Sequence, residues 1–298
     1  MSQTDTLLCS PACSKINLYL KVTGRRADGY HTLESLFLPL AEPADDIAID
    51  LEAAPGTITV GCSDILLPGG LSNIAGKAAE IWAKKAAVMP HWDININKNI
   101  PVAAGMGGGS SDAAAVLKML NNHFGAPLDE KLLHETALEL GADVPYFLNP
   151  RPAVMTGVGE IASELDFVLP EMFILLIAPQ FPVSAAEGYR LMAAEKISPM
   201  QPEVRSDILA GLRSNDLEKI ARNLFNDLEY GVFAKYPLLE LLRQAVFSTG
   251  AAVCRMTGSG PTLFALYPDR KMMIRATEEL RANHPECLII PAVTRTEK

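Results

Sequence analysis

"PVAAGMGGGSSDAAAVLKML", residues 101–120, puts four glycines into the five positions 105–109, then two serines, an aspartate and a run of strong helix formers. Glycine is costly wherever the backbone must be ordered. A tight turn into a helix needs one of them. Gly107, Gly108 and Gly109 in succession instead keep Cβ atoms away from something that approaches the backbone closely. Ser110 or Ser111 is placed to cap the helix that runs through Asp112 to Leu120 and ends near Gly125, a candidate left-handed C-cap. The N–H groups of the first turn, with the helix dipole, make a site for an anion. A triphosphate suits it, because its oxygens only accept hydrogen bonds. The serine hydroxyls are also within reach of a metal ion that bridges phosphates. Two standard motifs do not fit. A Walker A loop needs Gly-Lys before Ser or Thr, and the stretch has no lysine at that place. The dinucleotide fingerprint is met at Gly105 and Gly107, but Ser110 stands at its third glycine. The residues alone leave the phosphate donor open.

Outward from this loop, "HWDININKNIP" alternates, with Ile94, Ile96 and Ile100 inward, and predicts a strand leading into it. "SNIAGKAAEIWAKKAAV" before that strand reads as a helix. Earlier still, "ACSKINLYLKV" alternates with Ile16, Leu18 and Leu20 on one face and Lys15, Asn17 and Tyr19 on the other. "ADGYH" is a turn. "LESLFLPL", "DDIAIDLE" and "GTITVGC" read as short strands separated by Pro and Gly, hence an antiparallel sheet. After the loop, "LDEKLLHETALELG" is a second helix and "PAVMTGVGE" strand and turn. Beyond about residue 157 the pattern restarts: "MFILLIAP" as a buried strand, "VSAAEGYRLM", "DILAGLRSNDLEKIARNLF" and "PLLELLRQAVFSTG" as helices, "AAVCRMTGSGPTLFALYP" as strand, glycine turn and strand, then a helix and a last strand. The expectation is an α+β protein of two lobes, residues 1–157 and 158–298.

The 298 residues are 49% hydrophobic and 20% charged, enough for a substantial core. A net charge of −9 argues against a nucleic-acid surface, which needs clustered Lys and Arg. The five cysteines, Cys9, Cys13, Cys62, Cys254 and Cys287, form no CxxC pair and suggest reduced thiols in a cytoplasmic protein. "FILLIAP" is far too short to span a bilayer at about 20 residues, so no membrane partner is expected.

"PVAAGMGGGSSDAA" resembles the phosphate loop of the GHMP kinases. "SKINLYLKVTGRRADGYH", "GADVPYFL", "NDLE" at 226–229 and "TGSGPTLFAL" narrow the resemblance to their 4-diphosphocytidyl-2-C-methyl-D-erythritol kinase family. The matches run in order from residue 12 to beyond 260. The resemblance implies a two-lobed GHMP fold, with an N-terminal lobe like ribosomal protein S5 domain 2 and a ferredoxin-like C-terminal lobe. It implies ATP with Mg2+, and phosphorylation of the 2-hydroxyl of a cytidine diphosphate alcohol. Another GHMP kinase, of homoserine or mevalonate type, and a non-catalytic nucleotide-binding protein are the alternatives. The "ADGYH" pair opposes the first of these, and Lys15 together with Asp143 opposes the second.

The same resemblance assigns roles. Pro101, Val102, Ala103, Ala104, Gly105, Met106, Gly107, Gly108, Gly109, Ser110 and Ser111 hold ATP. Asp143 is the catalytic base, where its sequence context alone also allows an Asx-turn or cap before Val144 and Pro145. Lys15, otherwise an ordinary strand lysine, keeps the carboxylate ionised and stabilises charge on the attacking oxygen. Asn17 binds substrate or orients Lys15. Tyr30 stacks on cytosine, His31 bonds the base edge and Tyr189 completes the stack. Gly258 and Ser259 close over the substrate, with Thr257 as a further donor. Asn73 and Lys98 approach the adenosine.

Overall fold

The computed structural model describes residues 6–65, 67–192 and 197–295. Its strands are β1 (Leu7–Arg25), β2 (His31–Asp50), β3 (Thr57–Cys62), β4 (His91–Asn97), β5 (Ala153–Thr156), β6 (Ile161–Glu164), β7 (Phe173–Pro179), β8 (Val253–Met256), β9 (Leu263–Tyr267) and β10 (Cys287–Val293). Its helices are α1 (Ile74–Ala86), α2 (Gly108–His123), α3 (Glu130–Leu140), α4 (Val144–Leu148), α5 (Ala185–Leu191), α6 (Pro202–Ser214), α7 (Leu217–Asn223), α8 (Glu229–Lys235), α9 (Leu238–Ser248) and α10 (Arg270–Asn283). Among the described residues the protein is α+β, with two sheets. No described helix is long and apolar enough to cross a membrane.

The chain forms two compact units, interleaved along the sequence. The first holds residues 1–14, 43–100 and 107–150, the second 15–42, 101–106 and 151–298. In the first unit, the end of β2 pairs antiparallel with β4, Ile47 opposite Ile96 and Ile49 opposite Ile94. β3 pairs with β4 in parallel, Val60 opposite Ile94. The expected purely antiparallel sheet is therefore corrected: α1 lies between β3 and β4 in the chain and supplies the crossover that a parallel pair requires. Trp82 of α1, Trp92 of β4 and Phe124 beyond α2 pack ring on ring, with centroids 5.3 to 6.1 Å apart. The Trp82 indole N–H donates to Asn121 Oδ1 of α2 at 3.2 Å, which fixes α1 against α2.

In the second unit, the start of β2 pairs with β5, and β5 with β6. A four-stranded antiparallel sheet, β10-β7-β9-β8, carries the main core. "FILLIAP" is its central strand β7, paired on both edges and buried on both faces, which explains its unbroken apolar run. Leu239, Leu242 and Val246 of α9 and Met273, Ala276 and Leu280 of α10 close over it at helical spacing.

Two elements differ from expectation. "LESLFLPL" and "DDIAIDLE" are one strand of 20 residues. Pro39 and Pro43 fall between the stretch paired with β5 and the stretch paired with β4, so their missing N–H groups interrupt neither ladder. "DILAGLRSNDLEKIARNLF" divides into α6 and α7, because Asn215 turns left-handed at φ 54° and Asp216 caps the next helix by accepting from the Lys219 N–H.

Candidate active site

β1 is buried through Ala12–Leu20 on both faces, and its Lys15 is only 3% exposed. A buried ammonium needs acceptors. Lys15 Nζ donates to Asn17 Oδ1 at 2.7 Å and to the Gly105 carbonyl at 3.0 Å, and lies 4.6 Å from the centre of the Phe37 ring. The Lys15 backbone N–H donates to the Met106 carbonyl at 3.1 Å. The first half of the glycine loop is thus joined to the strand that carries the lysine. Asn17 is fixed in turn: its Nδ2 donates to Ser35 Oγ at 2.8 Å, and its backbone N–H donates to Thr257 Oγ1 at 2.9 Å.

The loop's opening residues are shaped by backbone contacts. Ala103 sits at φ 49°, and its carbonyl accepts from the Val183 N–H at 3.2 Å. Pro101 is half-buried and Val102 exposed, whereas Ala104 and Met106 are buried. At Gly105, φ 77°, a Cβ would lie 2.2 Å from the Thr257 carbonyl oxygen. At Gly258, φ 55°, it would lie 2.8 Å from the Gly105 oxygen. The two glycine turns therefore meet backbone to backbone, and only residues without a Cβ allow it. Ser259 packs beneath, its Cβ 2.8 Å from where a Cβ on Gly188 would stand. Gly258 is thus brought into one cluster with Lys15, Asn17 and Gly105, while Ser259 lies against Gly188 and Val183.

In the first unit the loop becomes a helix. Gly107, not a serine, is the N-cap of α2: it is left-handed at φ 76° and supplies no side-chain cap. Ser110 and Ser111 are helical residues, which corrects the expectation that one of them caps. The helix starts early because Gly107 takes the left-handed entry. Helix geometry leaves the N–H groups of Gly108, Gly109 and Ser110 without intrahelical acceptors. Ser111 is the first to be satisfied, its N–H donating to the Gly107 carbonyl at 2.9 Å. The first turn of α2 is therefore an uncapped set of donors at the positive end of the helix dipole.

Behind this turn lies a charge cluster that no local sequence signal announces. Lys98 Nζ pairs with Asp45 and, at 2.7 Å, with Asp112 of α2; all three side chains are buried. Asp45 Oδ1 also accepts from the Asn99 and Ile100 N–H groups at 2.6 and 2.8 Å. Burial pushes the Asp112 carboxyl up to about 7 in spite of Lys98, and Asp45 adds to the push. Burial opposes the Lys98 charge, yet the two carboxylates outweigh it and hold its pKa above the usual value. Asp112 Oδ1 is buried without a hydrogen-bond partner. A Cβ on Gly108 would lie 3.3 Å from Lys98 Nζ, so the cluster underlies the loop. Asn73 caps α1 by accepting from the Ala75 N–H at 2.9 Å.

Asp143 stands at the N-cap position of α4. Its backbone is right-handed helical, φ −81° and ψ −17°, and its side chain makes no capping hydrogen bond. The cap alternative lacks the bond that would define it. In the second unit, the turn after β1 carries Tyr30, 67% exposed, and then His31. The His31 ring stacks on Tyr189, centroids 5.1 Å apart and planes 9° from parallel. Burial, then the charge of Arg25, lowers the His31 pKa, which favours a neutral ring able to both donate and accept. A recess of about 660 Å³ lies elsewhere, against β2, β3 and β4, lined among others by Cys9, Asp46 and Asn95, and none of the expected site residues borders it.

Residues 73–150 match the model of the GHMP kinases N terminal domain, and residues 208–286 that of the GHMP kinases C terminal region. The chain is 39% identical over 271 residues to the 4-diphosphocytidyl-2-C-methyl-D-erythritol kinase of Geobacter sulfurreducens, covering 91% of this chain and 94% of the relative. It is 38% identical to that of Nitratidesulfovibrio vulgaris, with 94% and 96% covered. A crystal structure of 4-(cytidine 5'-diphospho)-2C-methyl-D-erythritol kinase superposes with a TM-score of 0.81 at 32% identity, covering 97% of this chain and all of that one. With both kinase regions present in order and this similarity running almost end to end, the chain belongs to the GHMP kinases, in their 4-diphosphocytidyl-2-C-methyl-D-erythritol kinase family.

Proposed function

We infer that this chain is an ATP-dependent kinase that transfers the γ-phosphoryl group to the 2-hydroxyl of 4-diphosphocytidyl-2-C-methyl-D-erythritol. The products are the 2-phosphate and ADP, in the non-mevalonate route to isoprenoid precursors. The observation that carries the reading is the 3.0 Å bond from Lys15 Nζ to the carbonyl of Gly105, which ties a buried cation to the phosphate loop itself.

The roles follow from the chemistry of phosphoryl transfer, in which positioning and charge stabilisation do most of the work. The loop 101–111 holds the ATP phosphates, with the uncapped N–H groups of Gly108, Gly109 and Ser110 as the donors. Mg2+ accompanies the ATP. It prefers oxygen and keeps several waters, so Ser110 or Ser111 would hold it through a hydroxyl, together with the phosphates. When bound, it neutralises charge on the transferring group.

A tertiary alcohol is a poor nucleophile and must lose its proton as it attacks. Asp143 accepts that proton, and Lys15 stabilises the developing oxyanion. Asn17 holds the Lys15 ammonium in place. Tyr30 and Tyr189 present aromatic faces to cytosine, and the neutral His31 bonds its polar edge. Gly258 and Ser259 close on the substrate. The functional division of the chain is 1–157 and 158–298, each containing one of the two matched kinase regions. The protein works in the cytoplasm, where its nucleotide is found.

The test is phosphoryl transfer from γ-labelled ATP to the cytidyl alcohol, homoserine and mevalonate in parallel. Labelled product with the cytidyl alcohol alone supports the reading. Product only with homoserine or mevalonate refutes it.

A further inference from the structure

We propose that Asn226 is a positioning residue for Lys15, acting through the Thr257–Gly258 turn. The proposal rests on the role given to Lys15 above. Asn226 is 7% exposed, and its side chain is fully engaged. Nδ2 donates to the Met256 carbonyl and to the Gly258 carbonyl, each at 2.8 Å, and Oδ1 accepts from the Leu228 N–H at 2.9 Å. Both amide protons are spent on the two carbonyls that flank Thr257. One side chain therefore fixes the backbone before and after that threonine.

Thr257 faces the lysine's supports. Its Oγ1 accepts from the Asn17 backbone N–H at 2.9 Å and lies 3.3 Å from Asn17 Oδ1 and 3.4 Å from the Gly105 carbonyl oxygen. Both oxygens accept hydrogen bonds from the Lys15 ammonium. The segment around Asn226 is in turn stitched to the strand that carries Lys15. The Leu20 N–H donates to the Phe225 carbonyl at 3.1 Å, and the Asp227 N–H to the Leu20 carbonyl at 2.9 Å. Asp227 Oδ2 accepts from the Val22 N–H at 2.9 Å and pairs with Lys21 at 3.0 Å. The order of influence is Asn226, the carbonyls of Met256 and Gly258, Thr257 Oγ1, then Asn17 Oδ1 and the Gly105 carbonyl, and last the Lys15 amine.

Asn226→Asp tests this at constant size. It keeps the acceptor for the Leu228 N–H but turns an oxygen toward two carbonyl oxygens. Thr257→Val removes the next link and keeps its shape. Lys15 is read directly by its acylation rate with an amine-reactive ester, mapped by mass spectrometry, with Lys98 as internal control. In each folded variant Lys15 should react at least about threefold faster while Lys98 does not change, and kcat should fall about tenfold or more with KM for ATP nearly constant. The double variant should be no worse than the more damaged single one, because both act along one path. Unchanged Lys15 acylation in a folded variant, or fully additive losses, would overturn the proposal. If Asn226→Asp does not fold, Thr257→Val decides by the same acylation criterion. Absence of transfer by the unmodified chain would sink the activity reading, while the acylation comparison would still judge the positioning.

Discussion

Gly109→Ala separates a structural glycine from one kept open for a ligand. Gly109 lies in the first turn of α2, and a Cβ there would meet Ile74 Cγ2 at 3.6 Å, an ordinary van der Waals contact. The fold has room for the methyl group. Alanine also favours a helix over glycine by up to about 1 kcal/mol. In a protein of this size that should raise Tm by about 1–3 °C. Phosphate oxygens, by contrast, would meet the new methyl group and lose one charge-assisted hydrogen bond, costing about 1.5–3 kcal/mol. That weakens ATP binding by about ten- to a hundredfold. The assays are a thermal melt of the ligand-free protein and calorimetric titration with ATP. A raised Tm with unchanged ATP affinity would refute the phosphate-loop argument. A lowered Tm would show that Gly109 is needed by the fold. Gly108 would be a poorer probe, since its Cβ would crowd Ile100 at 3.1 Å.

Gly105→Ala should act oppositely. A left-handed alanine whose Cβ stands 2.2 Å from the Thr257 carbonyl oxygen must move backbone, costing about 2–5 kcal/mol, measured as a fall in the denaturation midpoint. An unaltered midpoint would contradict the close approach of the two turns. Asp112→Asn should stabilise the protein more at pH 8 than at pH 4.5. The folded carboxyl titrates near 7 against about 3.9 unfolded, so the unfolded state alone ionises as pH rises through that window, and the native protein loses stability there. Equal gains at both values in thermal melts would show that the buried carboxyl titrates normally.

The parts of this molecule that are legible in the sequence are those written locally. The density of glycine at 105–109 marks a loop that excludes Cβ atoms, and α2 follows with a buried face of alanines and leucines. "FILLIAP" declares a strand buried on both sides. The proline positions in β2 read locally as strand breaks, because the pairing partners that make Pro39 and Pro43 harmless come from distant segments, β4 and β5. The parallel pairing of β3 with β4 has no signature within either strand. The Asp45–Lys98–Asp112 cluster and the grip of Asn226 on Met256 and Gly258 are equally non-local. "NDLE" marks the second as a motif, but what its asparagine holds depends on the folded course of a turn 30 residues away. Lys15 looked like a solvated strand lysine by composition alone, and its burial depends on Gly105 and Phe37 closing around it.

The most direct measurement of the central claim is single-turnover phosphoryl transfer by Asp143→Asn, alongside its ATP dissociation constant. Asparagine keeps the size of the side chain and cannot take up the proton of the alcohol. The account predicts ATP binding within about threefold of the unmodified protein and transfer slowed by about 10²–10⁴-fold. Transfer at an undiminished rate would contradict the assignment of Asp143 as the base.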